Sequence, residues 1–65
     1  MGVSYKRLFK LMIDRNMKRK DLMEIATLSN STISKLSKDE YVSMEVLVKI
    51  CHALEVRIED IIEIV

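Results

Sequence analysis

Sixty-five residues confine the chain to one domain, residues 1–65, with room for one small core and not for a large catalytic apparatus. Hydrophobic residues are 49% and charged residues 32% of the chain, with no Pro, one Gly and one Cys, a composition that excludes disorder, hairpin-rich all-β folds, an internal disulfide and a multi-Cys zinc site. The net charge of +1 hides a polar distribution: residues 1–38 carry +6 and residues 39–65 carry −5, as expected of an anion-facing surface mounted on a neutralising support. No stretch approaches the 18 or so uncharged apolar residues of a membrane span, and the N-terminus lacks the pattern of a secretory signal, so a cytoplasmic protein is expected.

In chain order, Ser4 is a candidate cap for a first helix in which Tyr5, Leu8, Leu11 and Met12 recur at steps of three and four, with Phe9 and Ile13 widening the apolar stripe. That helix runs to about Arg15. Asn16 stands where a left-handed residue ends a helix, and Met17 re-enters the core. Leu22, Ile25 and Ala26 mark a second, short helix from about Arg19 to Ala26. Thr27, Leu28 and Ser29 interrupt the period, and Ser29 is the cap of a third helix, Asn30 to Ser37. Only Ile33 and Leu36 of that helix are suited to a core; Asn30, Ser31, Thr32, Ser34 and Lys35 are polar and mostly weak helix formers, so tertiary packing has to hold the segment.

After a connection from Asp39 to Val42, Ser43 caps a fourth helix with Leu47, Ile50, Cys51 and Leu54 on its apolar face. Ile58, Ile61, Ile62 and Val65 continue at helical spacing and predict a fifth helix. Five of the last eight residues are apolar, more than one small core takes up, which points to a two-fold homodimer through the C-terminal helix.

Two short helices joined by a three-residue turn, the second polar on its outer face and the pair led by a basic run, form a helix-turn-helix arrangement that sets the second helix in the DNA major groove. The stretch KRKDLMEIATLSNSTISKL, Lys18 to Leu36, resembles the DNA-binding motif of the Cro/CI-type (XRE-like) phage-repressor family, with Leu22, Leu28, Ser29, Ile33 and Leu36 on its core and cap positions. Ser43 to Ile62 is similar to that family's fourth and fifth helices, so the likeness spans nearly the whole chain. It implies an all-α, compact five-helix domain acting as a sequence-specific DNA-binding regulator, expected to be a repressor because little chain remains to recruit polymerase.

Asn30 offers an amide that matches adenine, Lys35 donates to guanine, and Ser31 and Ser34 suit either base edge. By the family's contact positions, Asn30, Ser31, Ser34 and Lys35 are the expected base contacts, and Lys18, Arg19, Ser29, Thr32 and Lys38 the expected phosphate contacts. The sequence departs from the family pattern at Met23, where a small Ala is usual, and at Thr27, where Gly is usual; the turn is therefore either rearranged or strained. Met12 and Ser37 stand where many members pair an Arg with a Glu, and joint replacement of both partners strands no charge.

Lys6, Arg7 and Lys10 are expected to be solvated. Cys51 and His52 are helix neighbours pointing about 100° apart with no third ligand near in sequence, and Glu59, Asp60 and Glu63 have no nucleophile to serve. No catalysis, cofactor, metal or small-molecule ligand is expected; the expected partner is double-stranded DNA. The competing reading is a protein-interaction module on the same fold, an antitoxin-like partner binder with the apolar tail as its surface.

Overall fold

The computed structural model describes residues 2–65. Four α-helices, α1 (Lys6–Asp14), α2 (Arg19–Ala26), α3 (Asn30–Ser37) and α4 (Met44–Leu54), are followed by one 3-10 turn at Ile58–Asp60 and flanked by two short strands, β1 (Val3–Ser4) and β2 (Glu63–Ile64). The apolar periodicity of each helix converges on one core. Leu8 and Met12 of α1, Leu22 and Ala26 of α2, Ile33 and Leu36 of α3, and Leu47, Ile50 and Leu54 of α4 are all buried, joined by Tyr5, Leu28 and Ile61. No helix among the described residues is long and apolar enough to cross a membrane.

All four helices stop in the same way, and none uses glycine. Asn16, Thr27, Asp39 and Glu55 adopt the left-handed conformation, with φ of 57°, 55°, 55° and 56°. The residue after each closes a backbone bond across the helix end: Met17 N–H to the Met12 carbonyl, Leu28 to Met23, Glu40 to Lys35 and Val56 to Cys51, at 2.8–3.0 Å. This satisfies carbonyls that the helix itself leaves open. It also turns Met17, Leu28 and Val56 back onto the core. The expected left-handed Asn16 is present, and Thr27 resolves its alternative: the turn is not rearranged, so the strain of a β-branched residue at positive φ is retained.

Ser29 and Ser43 cap α3 and α4 as expected, each hydroxyl accepting a backbone N–H at 3.2 Å, from Thr32 and Val46. The N-cap residue of α1 is Tyr5 and Ser4 lies in β1, yet the Ser4 hydroxyl still accepts the N–H of Lys6, the first residue of the helix, at 3.3 Å. The start of α1 is also held from a distance: Tyr5 N–H donates to Asp39 Oδ1 at 3.0 Å and Tyr5 Oη donates to the Glu40 carbonyl at 2.7 Å. The start of α1 is thereby fastened to the residues that end α3.

The fifth helix is absent. Arg57 N–H donates to Asp60 Oδ2 at 3.0 Å, which starts a turn, but the chain becomes extended at Glu63. Eight residues cannot offset the cost of helix nucleation unless one face is buried. Here β-branched Ile and Val gain more from pairing. Val3 faces Ile64 and Ser4 faces Glu63 in an antiparallel ladder, extended by Gly2 N–H to the Val65 carbonyl at 2.8 Å and Val65 N–H to the Gly2 carbonyl at 3.0 Å. A dimer through a C-terminal helix therefore has no helix to use. Ile61 is fully buried and Ile58 and Ile62 rest against the core, leaving Ile64 and Val65 exposed.

Tyr41, Met44 and Val48 are exposed as well, and so are two residues that the helical periods assign to apolar stripes. Ile13, at the end of α1, is 73% exposed and Ile25, on α2, is 50% exposed. Ile25 follows the helical period of Leu22, yet it lies on the edge of the stripe, where it borders a shallow depression with Lys49, His52 and Ala53 of α4 and stays half exposed.

Candidate nucleic-acid interface

The candidate recognition segment is α3. Its two apolar residues, Ile33 and Leu36, are three apart and both buried, which leaves Asn30, Ser31, Ser34 and Lys35 exposed on the remaining surface. The helix contains no carboxylate, and Lys38 follows it directly. Beyond Lys38 come Asp39 and Glu40, which border a shallow depression together with Lys35, Tyr41 and Gly2. Asp39 is turned toward α1 by its bond to Tyr5 N–H, so one of these two carboxylates is already engaged.

At the start of α3 three hydroxyls are gathered. Ser29 Oγ lies 3.0 Å from Ser31 Oγ and 3.0 Å from Thr32 Oγ1 while accepting the Thr32 N–H. Ser31 is thus ordered by a hydroxyl–hydroxyl bond within the cluster, and Thr32 is half-buried beside it. The remaining backbone donors of this first turn point to where an anion is favoured.

The second part of the site is the start of α2. Lys18 is its N-cap residue, and Arg19 and Lys20 begin the helix. Lys18 N–H donates to Asp21 Oδ2 at 2.9 Å, the one acidic contribution to the first turn. Three consecutive cations at the positive end of a helix dipole oppose folding. The same arrangement attracts an arriving polyanion. All three side chains are exposed.

Other basic residues of the N-terminal half are committed within the fold. Arg7 Nη1 donates to the Glu59 carbonyl at 2.9 Å, and its Nη2 meets Glu63 Oε2 at 3.4 Å across an exposed pair. Arg15 Nη1 donates to the Leu54 carbonyl at 2.7 Å, placing a cation at the C-terminus of α4 where the dipole favours it. The expectation that Arg7 is merely solvated is thus corrected: it ties α1 to the C-terminal segment. Lys6 and Lys10 remain exposed.

Burial raises the pKa of two groups elsewhere. The Tyr5 phenol is pushed up by desolvation, and the Cys51 thiol is pushed up by desolvation with a smaller push from Asp60 and Glu59. Cys51 is half-buried and His52 exposed, on adjacent positions of α4.

Residues 7–65 match the Cro/C1-type HTH DNA-binding domain family. The chain belongs to this family. No curated protein matches it. The Cro/C1-type fold is shared with the solved structure described as the crystal structure of transcriptional regulator VanUg, form II, at 50% identity and a TM-score of 0.91, over 95% of this chain and 83% of that one. Within this Cro/C1-type domain, the pair at Met12 and Ser37 is satisfied without charge: Met12 is buried, and Ser37 Oγ donates to the Ile33 carbonyl at 3.1 Å. Met23, larger than the usual Ala, is half-buried against the core.

Sequence reasoning did not find Tyr5, Asp39 and Glu40 as one cluster. The residues lie 34 and 35 positions apart, and no local period links them.

Proposed function

We propose that this Cro/C1-type domain is a sequence-specific transcriptional regulator of the cytoplasm that represses by occupying its operator. The observation that carries the reading is a carboxylate-free α3 with Asn30, Ser31, Ser34 and Lys35 exposed. In this reading those four side chains meet base edges in the major groove, and Lys18, Arg19, Ser29, Thr32 and Lys38 meet phosphates. The 50% identity to a protein described as a transcriptional regulator supports the same assignment.

The regulator acts as a homodimer that sets two α3 helices roughly 34 Å apart on one face of the duplex. The exposed Ile64 and Val65 favour such a partner, since burying them removes apolar surface from water. Residues 1–65 work as one domain, with no enzymatic step.

Selection of bound duplexes from a random pool, followed by gel shifts over a salt series, tests this. A recovered palindrome and a steep loss of affinity with salt are expected. Lys35→Ala relaxes base preference at one position of each half-site, whereas Arg19→Ala weakens all duplexes alike and lowers the salt slope by about one. Undetectable binding at low salt, together with a stoichiometric co-purifying protein, rejects the reading in favour of a protein-interaction module.

A further inference from the structure

Among the three arginines of the N-terminal half, Arg19 is held differently. Arg7 and Arg15 spend guanidinium donors on the Glu59 and Leu54 carbonyls. The Arg19 guanidinium instead lies over the ring of Phe9, 5.6 Å from its centroid. Among the described residues, no hydrogen bond or ion pair engages it. The cation is therefore placed by a contact that uses the face of its partner's ring and leaves its N–H edge unspent.

Phe9 is suited to this. It sits on α1, half-buried against the core, and borders a shallow cleft with Met12, Ile13, Met17, Lys18 and Arg19. The packing alone calls for an apolar side chain. An aromatic ring adds a negative face, which holds a cation where an aliphatic side chain does not. A carboxylate at that position would hold Arg19 as well, but would consume the fork that matches a phosphate.

We propose that Phe9 is a positioning residue for nucleic acid, holding the Arg19 guanidinium over its ring so that the N–H edge meets a DNA phosphate. The inference rests on the DNA-binding reading above and deepens it. Arg19 contacts the phosphate; Phe9 acts through Arg19, by ordering a long side chain before the duplex arrives. The contact is indifferent to sequence, because it is made to the backbone.

A double-mutant cycle tests it, with affinity read by fluorescence anisotropy on a duplex recovered from a random pool and on a mixed-sequence duplex of equal length. Phe9→Leu is expected to weaken both duplexes alike, by about two- to fivefold. Phe9→Tyr keeps the ring and the affinity. Arg19→Lys, which leaves the core untouched, loses at least as much as Phe9→Leu. In an Arg19→Ala background Phe9→Leu has no further effect, because the residue it positions is gone. In the free protein, side-chain proton resonances of Arg19 carry a ring-current shift that Phe9→Leu abolishes and Phe9→Tyr preserves. Folded Phe9→Leu with wild-type affinity, an equal Phe9→Leu loss with and without Arg19, or no loss in Arg19→Lys each overturns the positioning role while DNA binding stands. A wild-type protein that binds neither duplex rejects the DNA-binding reading itself, and the role of Phe9 with it.

Discussion

Thr27 and Asp39 share a φ of 55° but stand in opposite relation to stability. Thr27 is exposed, and its β-branch gains nothing for the strain. Thr27→Gly is expected to raise stability by about 1 kcal/mol, read as a rise in the urea midpoint at unchanged slope. Asp39→Gly relieves the same backbone strain and yet lowers stability, because it removes the acceptor of the Tyr5 N–H. Tyr5 also introduces an alkaline limit. Its phenol is neutral in the fold and its pKa is raised by burial, so its contribution is complete below the unfolded value of about 10 and is lost as pH rises through the higher folded value. Tyr5→Phe should flatten that alkaline loss while costing about 1 kcal/mol at neutral pH for the bond to the Glu40 carbonyl. Denaturant melts of both proteins from pH 7 to about 11 check the sign.

At the scale of the element, α2 carries a conflict between folding and function. Lys18, Arg19 and Lys20 crowd the positive end of the helix, with Asp21 as the acid that offsets them in the first turn. Lys20→Glu is therefore expected to stabilise the fold by about 0.3–1 kcal/mol at low salt, with the gain fading as salt is added. The same change is expected to weaken binding to every duplex, since it reverses a charge beside the proposed phosphate contacts. Stability that rises while affinity falls is the signature of an element shaped for its ligand, and thermal melts paired with gel shifts on one preparation reveal it. The helices α2 and α3 were legible from sequence because their signals are local: Ser29 caps through a residue three positions on, and Ile33 and Leu36 fall on one face. Ile25 was misread because a period describes one helix and not the reach of its neighbours.

The whole molecule is closed by its C-terminal segment. Ile61 is fully buried, and β2 joins the chain's two ends. Ile61→Ala is expected to cost about 2–5 kcal/mol, a large share of the stability of so small a domain, and circular dichroism should show loss of all four helices in one transition. Arg7 adds to this closure through the Glu59 carbonyl, although its exposed ion pair with Glu63 contributes little. The opposite charges of the two halves of the chain thus have a partial structural use at one end, while Lys18, Arg19 and Lys20 stay open at the other.

The amino-acid sequence alone determined the helix-turn-helix, the Ser29 cap, the left-handed helix end at Asn16 and the polar face of α3, because each depends on residues within about one helical turn of one another. Tertiary structure decided what distant residues do together. Glu63 and Ile64 became a strand instead of a helix because Val3 and Ser4 supply hydrogen-bond partners some 60 positions away, as the register Ser4 to Glu63 shows. The hold of Asp39 and Glu40 on Tyr5, and of Phe9 on Arg19, likewise arises only when separate helices meet, a condition that no periodicity encodes.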